Sequence, residues 1–117
     1  MVNEIRQGQV YWLDLGPATR SATAERHPCV VVQNDIFNRS AIATTVVCLI
    51  TSNLKRADAP GNVLLKKGEA RLPKASVVNV SQFLTVDKTE LVEYVGKLSS
   101  VASADVRDGL CLLFECL

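Results

Sequence analysis

The 117-residue sequence predicts a mainly β fold closed by one C-terminal helix, arranged as a small, strongly bent sheet or partly open barrel. Three observations predict it. Two short, continuous β-branched runs, residues 28–33 (PCVVVQ) and 44–51 (TTVVCLIT), are the mark of strands buried on both faces. Polar, irregular loops separate the extended segments. Past Leu98 the apolar residues recur at helical spacing.

In chain order, residues 10–15 (VYWLDL) form the first strand, entered from a Gln7-Gly8 turn and ended by Gly16-Pro17. Residues 19–26 (TRSATAER) have no periodicity and form a long loop of the kind that carries function on a rigid scaffold. The two β-branched runs follow as strands. Residues 53–61 (NLKRADAPG) form a second long loop, polar and basic, before residues 62–66 resume an extended pattern. Gly68 opens a tight turn and Leu72-Pro73 ends a connection. Residues 76–82 (SVVNVSQ) alternate as a strand, with a further short strand or turn at 83–86, giving five to seven strands in all. In the closing helix Val101, Val106, Leu110, Leu113 and Leu117 share a face opposite Asp105 and Asp108, and Ser99 or Ser100 supplies the N-cap. Gly109 inside it weakens an isolated helix by about 1 kcal/mol relative to Ala, so docking on the sheet must supply the stability.

The length and the 48% apolar content fit one compact domain over residues 1–117. No apolar run reaches the roughly 18–20 residues of a membrane-spanning helix, and no secretory signal is apparent, so no membrane contact and a cytoplasmic location are expected. The net charge of +1 hides an asymmetry. From Arg20 to Lys74 nine basic residues face four acidic ones, whereas from Asp87 onward three face six. A polyanion would meet the middle of the chain, although a solvated surface with accidental asymmetry explains the same count. The four cysteines have neither a zinc nor a disulfide spacing, and Cys29, Cys48 and Cys111, flanked by Val or Leu, are expected to be small buried hydrophobes.

With one histidine and no clustered carboxylates, the sequence offers no metal constellation, and no Gly-rich phosphate loop or nucleophile elbow is present. No cofactor is expected. What remains is Arg26-His27-Pro28 where a loop meets a strand, and Thr51-Ser52-Asn53 at the end of another. RNA is cleaved without metal when its own 2′-hydroxyl attacks the adjacent phosphorus. That reaction needs a proton acceptor, a cation for the extra negative charge, and a donor for the leaving oxygen. An imidazole, a guanidinium and a Thr hydroxyl suit those tasks. Residue types alone leave a second reading open, in which Arg26 and His27 cap a strand and Thr51 is an edge residue.

Five segments in order, QGQVYWLDLGP, HPCVVVQNDIFNR, TTVVCLITSN, APGNVLL and RLPKASVVNVSQFLTVDK, together with the terminal helix, resemble the MazF/PemK toxin family over nearly the full length. The resemblance implies a small SH3-like barrel, a homodimer, sequence-selective cleavage of single-stranded RNA (mRNA) leaving a 2′,3′-cyclic phosphate, and neutralisation by a cognate antitoxin. It places the family's catalytic threonine on Thr51. Its catalytic arginine usually stands directly before the strand's proline, where this chain has His27, with Arg26 one position earlier. A one-residue shift along a strand turns a side chain to the other face, so Arg26 as the cation requires its loop end to swing inward, with His27 assisting as acid or base. The resemblance further implies RNA contacts from the long loops and the face between them. Gln33, Asn34, Ser52, Asn53 and Gln82 suit base edges, and Arg20, Lys55 and Arg56 suit phosphates. Asn34 also fits a plain turn residue.

Two rival expectations share this barrel. A CcdB-like toxin binds a topoisomerase through a C-terminal, Trp-containing end, but the only tryptophan here is Trp12, in the first strand. A catalytically inactive nucleic-acid-binding module is the other, suggested by the missing arginine at the position of His27.

Overall fold

The computed structural model describes residues 4–14 and 26–116. Most of the expected loop at 19–26, Arg20 included, lies outside the described residues. Six antiparallel strands, β1 (Gln9–Asp14), β2 (Arg26–Val31), β3 (Thr44–Thr51), β4 (Val63–Leu65), β5 (Ser76–Asp87) and β6 (Glu93–Lys97), form one bent sheet in the order β4-β5-β3-β2-β1-β6. A one-turn helix α1 (Asp35–Asn38) joins β2 to β3, and the long helix α2 (Ser100–Phe114) closes the chain. The mainly β architecture with a terminal helix is as expected. No described helix is long and apolar enough to cross a membrane.

The β-branched runs of β2 and β3 lie mid-sheet and feed both faces, because successive strand residues point to opposite sides. On one face Val10, Val30, Cys48, Ile50, Val78 and Val80 pack beneath Leu98, Ala102 and Val106 at the start and middle of α2. On the other, Tyr11, Leu13, Cys29, Val31 and Val47 pack with Ile5, Val86 and Leu91. Burial pushes the thiols of Cys29 and Cys48 up to about 12, so both stay protonated and behave as apolar core atoms. Cys111 departs from the same expectation. It sits on the outer side of α2 and is exposed, since its Leu neighbours, Leu112 above all, are themselves turned to solvent.

Ser99 caps α2 as expected, its Oγ accepting from Ala102 N at 3.1 Å. Gly109 has a reason that propensity does not reveal. A Cβ there would lie 2.1 Å from the Gly61 carbonyl oxygen, so glycine is what lets α2 sit directly against the loop before β4.

The expected break near Gln82 is not an end. β5 runs through it as one 12-residue strand, with a bulge that sets Leu49 opposite Asn79 but Cys48 opposite Phe83. Residues 80–82 are the excess, and Asn62 Oδ1 accepts from the Val80 amide at 3.0 Å, replacing the ladder bond that the bulge removes. The loop at 53–61 also carries more order than expected, with a 3₁₀ turn at Leu54–Asp58 whose N-cap is Asn53.

Candidate active site

The ends of β1, β2 and β3 and the segment entering β5 enclose an open cleft of about 300 Å³. Arg26, His27, Thr51 and Ser52 all line it, as do Trp12, Lys74 and the Pro28 and Pro73 rings. Thus the two sequence-distant clusters meet. The cause is strand register: Cys29 pairs with Leu49 and Val31 with Val47, and continuing that register two residues sets His27 opposite Thr51. Alternation then gives His27 and Thr51 the same face as Cys29 and Leu49.

Arg26 belongs to the opposite face. It is the first residue of β2, paired with Asp14, in the row of Pro28 and of Trp12, which pairs with Pro28. Its guanidinium sits 5.2 Å from the Trp12 ring centre and forms an ion pair with Glu93 of β6, the residue paired with Trp12. The side chain remains half exposed, at 51%. The inward swing required of Arg26 is therefore not present in this state; the cation is parked at the cleft edge on an aromatic face and a carboxylate.

Thr51 is half-buried, and its Oγ1 accepts from Asn53 N at 3.1 Å. An oxygen oriented this way keeps its own proton for donation elsewhere. Asn53 Oδ1 accepts from Lys55 N at 3.2 Å, which caps the 3₁₀ turn and presents Lys55 and Arg56 to solvent directly after Thr51 and Ser52. The Arg56 carbonyl accepts from Asn62 Nδ2 at 2.9 Å, and Asn62 in turn contacts Asn79, whose Nδ2 donates to Gln82 Oε1 at 2.9 Å. Gln82 is exposed but lies on the β5 bulge, outside the cleft lining.

Gln33 and Asn34 are not brought to the cleft. They lie past the other end of β2. Gln33 Nε2 donates to Asn38 Oδ1 at 2.9 Å and to the Thr44 carbonyl at 3.1 Å, while Asn34 Oδ1 accepts from Ile36 N at 2.8 Å as the N-cap of α1. Conversely, the sequence reading gave Trp12, Lys74 and Glu93 no place in the site. Trp12 reads as one more strand aromatic, and Lys74 reaches the cleft only because β5 pairs with β3, Val77 opposite Thr51. Long-range pairing of that kind leaves no local signal.

A family model described as the PemK-like, MazF-like toxin of type II toxin-antitoxin systems matches residues 6–114. Endoribonuclease MazF6 of Mycobacterium tuberculosis is 42% identical over 106 residues, covering 91% of this chain and 93% of its own. Among solved structures, a mycobacterial endoribonuclease in complex with its cognate antitoxin superposes with a TM-score of 0.78 at 25% identity, with 97% of each chain covered. The MazE–MazF complex of Deinococcus radiodurans matches in fold with a TM-score of 0.80 at 21% identity, covering 98% of this chain and 99% of that one. With the family model spanning nearly the whole chain and a relative this similar over nine-tenths of it, the chain belongs to the PemK-like, MazF-like toxin family.

Proposed function

We propose that the chain is a metal-independent endoribonuclease that cleaves single-stranded RNA through attack of the substrate's 2′-hydroxyl. The observation that carries the reading is the convergence of His27, Thr51 and Arg26 on one cleft whose rim also bears Lys74. The His27 imidazole takes the 2′-hydroxyl proton as the new O–P bond forms. Arg26 leaves Glu93 for the phosphate, where its planar fork holds the non-bridging oxygens as negative charge accumulates. The Thr51 hydroxyl donates a hydrogen bond to the departing 5′-oxygen, which takes its proton from water. The P–O5′ bond breaks, leaving a 2′,3′-cyclic phosphate and a 5′-hydroxyl. Exposed Lys55 and Arg56 guide the backbone toward the cleft, joined by Arg20 from the sequence between β1 and β2, and Ser52 and Asn53 stand where unpaired base edges pass.

The relatives that carry the name endoribonuclease, one of them solved with its cognate antitoxin, support both the activity and an antitoxin partner for this chain. We place the protein in the cytoplasm as a homodimer. The sheet face away from α2 supports a second copy, since among the described residues no long helix covers it and Val92 and Tyr94 stand exposed beside Tyr11 on that side. His27 and Thr51 share that face. Sedimentation at a single s-value for a monomer up to the highest working concentration would remove the dimer.

The decisive experiment incubates the purified protein with a single-stranded RNA in excess chelator and maps the ends by primer extension. Site-specific cuts bearing cyclic phosphate are expected. Intact RNA under chelation with cutting restored by a divalent ion would overturn the mechanism, and intact RNA in both arms would overturn the activity.

A further inference from the structure

Beyond the RNA chemistry, the end of α2 holds a second reactive arrangement. After Phe114 the backbone enters the left-handed region at Glu115 (φ 60°, ψ 45°). Cys116 N donates to the Cys111 carbonyl at 2.9 Å and Glu115 N to the Leu112 carbonyl at 3.4 Å. This pair of bonds is the Schellman closure, in which the residues at the two ends of a six-residue turn touch through side chains that are commonly apolar. Here both ends are cysteine. The turn closure brings the two residues together, and the thiol of Cys111 is raised above its ordinary value, first by hydrogen bonding with Cys116, then by desolvation and by the nearby charges of Cys116 and Asp108. Both are exposed, while Cys29 and Cys48 are sealed in the two cores.

We propose that Cys111 and Cys116 are a redox-responsive pair that closes to an intrachain disulfide across the C-terminal turn of α2. The oxidant class is a peroxide or a small-molecule disulfide. With hydrogen peroxide, one thiolate attacks an oxygen, the O–O bond breaks, and a sulfenic acid and hydroxide result, the hydroxide taking up the proton the thiol released to become water. The second sulfur then attacks the sulfenic sulfur. An S–S bond forms, the S–O bond breaks, and hydroxide leaves with the second thiol proton as another water. Two electrons pass from sulfur to peroxide, and a thiol reductant reverses the step. Disulfides span Cα separations of roughly 4.4–6.8 Å, which a turn closed by a bond between its first and sixth residues provides. Closure pins the turn that carries Phe114, whose ring meets the Phe83 ring of β5 edge-on with centres 5.3 Å apart.

The test treats the intact native chain with hydrogen peroxide, alkylates the remaining thiols, and reads the intact mass and the linked peptide. Loss of two hydrogens, a Cys111–Cys116 link, monomer mobility on a non-reducing denaturing gel and reversal by a thiol reductant are expected. Glu115→Val disfavours the left-handed turn and should slow closure several-fold, whereas Glu115→Gly should not slow it. Cross-linking between chains, independent over-oxidation of the two sulfurs, or a closure rate indifferent to Glu115→Val would each overturn the proposal.

Discussion

The two ends of the central strand pair β2–β3 are both crowded with polar side chains, yet they have opposite fates. At the α1 end the buried amide of Asn38 is fully engaged. Its Oδ1 accepts from Gln33 Nε2 (2.9 Å) and Thr45 Oγ1 (2.8 Å), and its Nδ2 donates to the Gln33 carbonyl (2.8 Å) and to Asp35 Oδ1 (3.0 Å). At the cleft end, Arg26, His27, Thr51 and Ser52 surround open volume, and among the described residues the guanidinium of Arg26 meets a half-exposed carboxylate and a ring face. One end spends its amide hydrogen bonds on the fold; the other sets a half-exposed guanidinium beside open volume, where a ligand can compete for it. Polar residues near a strand end are thus ambiguous in sequence, and only the partner inventory separates structure from chemistry.

The sharpest way to break this contrast is at the cleft. His27→Ala and Thr51→Ala should each lower kcat for RNA cleavage by roughly a hundredfold or more, with thermal unfolding unchanged. A large fall in Tm would move either residue to the structural class. At the other end, Asn38→Leu leaves Gln33, Thr45 and Asp35 with unmet groups in a buried site and should cost roughly 2–4 kcal/mol of stability. Denaturant melts read that loss, and the cleavage rate per folded molecule should hold.

A smaller effect is expected from Glu93→Gln, which removes the carboxylate competing with phosphate for Arg26. RNA affinity measured by fluorescence anisotropy should rise a few-fold, while stability shifts by no more than about 1 kcal/mol because the pair is half exposed. Weaker binding would mean that Glu93 positions Arg26 instead of restraining it.

The mildest perturbation is protonation of Asp35. Burial alone would raise its carboxyl, but hydrogen bonds from Asn38 Nδ2 and the Gln7 amide, with the charges of Arg6 and Arg39, outweigh it and hold the group below the usual carboxylate range. A depressed folded value means that Asp35 contributes stability above the ordinary carboxylate range and loses it as pH falls through the folded value. Asp35→Asn should therefore flatten the acid limb of a Tm-against-pH profile. An unchanged limb would show that other carboxylates control it.

How much was legible follows from how local each signal was. β3 spans residues 44–51 as read, because an uninterrupted β-branched run leaves little alternative. The two clusters of the candidate site were legible as residue types at strand ends. That His27 and Thr51 share a face depends on register, and that Arg26 rests on Trp12 and Glu93 depends on β6, a short strand with no marked alternation that the sequence did not announce. β5 looked broken because its bulge interrupts the alternation at residues 80–82. Gln33 and Asn34 looked like ligand contacts because nothing nearby in sequence shows that Asn38 and Ile36 claim them.

The meeting of Gly61 and Gly109 has a mechanical consequence. Two backbones in direct contact, with no side chain between them to flex, act as a stiff joint, and Asn62 beside it holds the Arg56 carbonyl. A side chain larger than hydrogen at either glycine would force α2 and the loop that carries Asn62 apart.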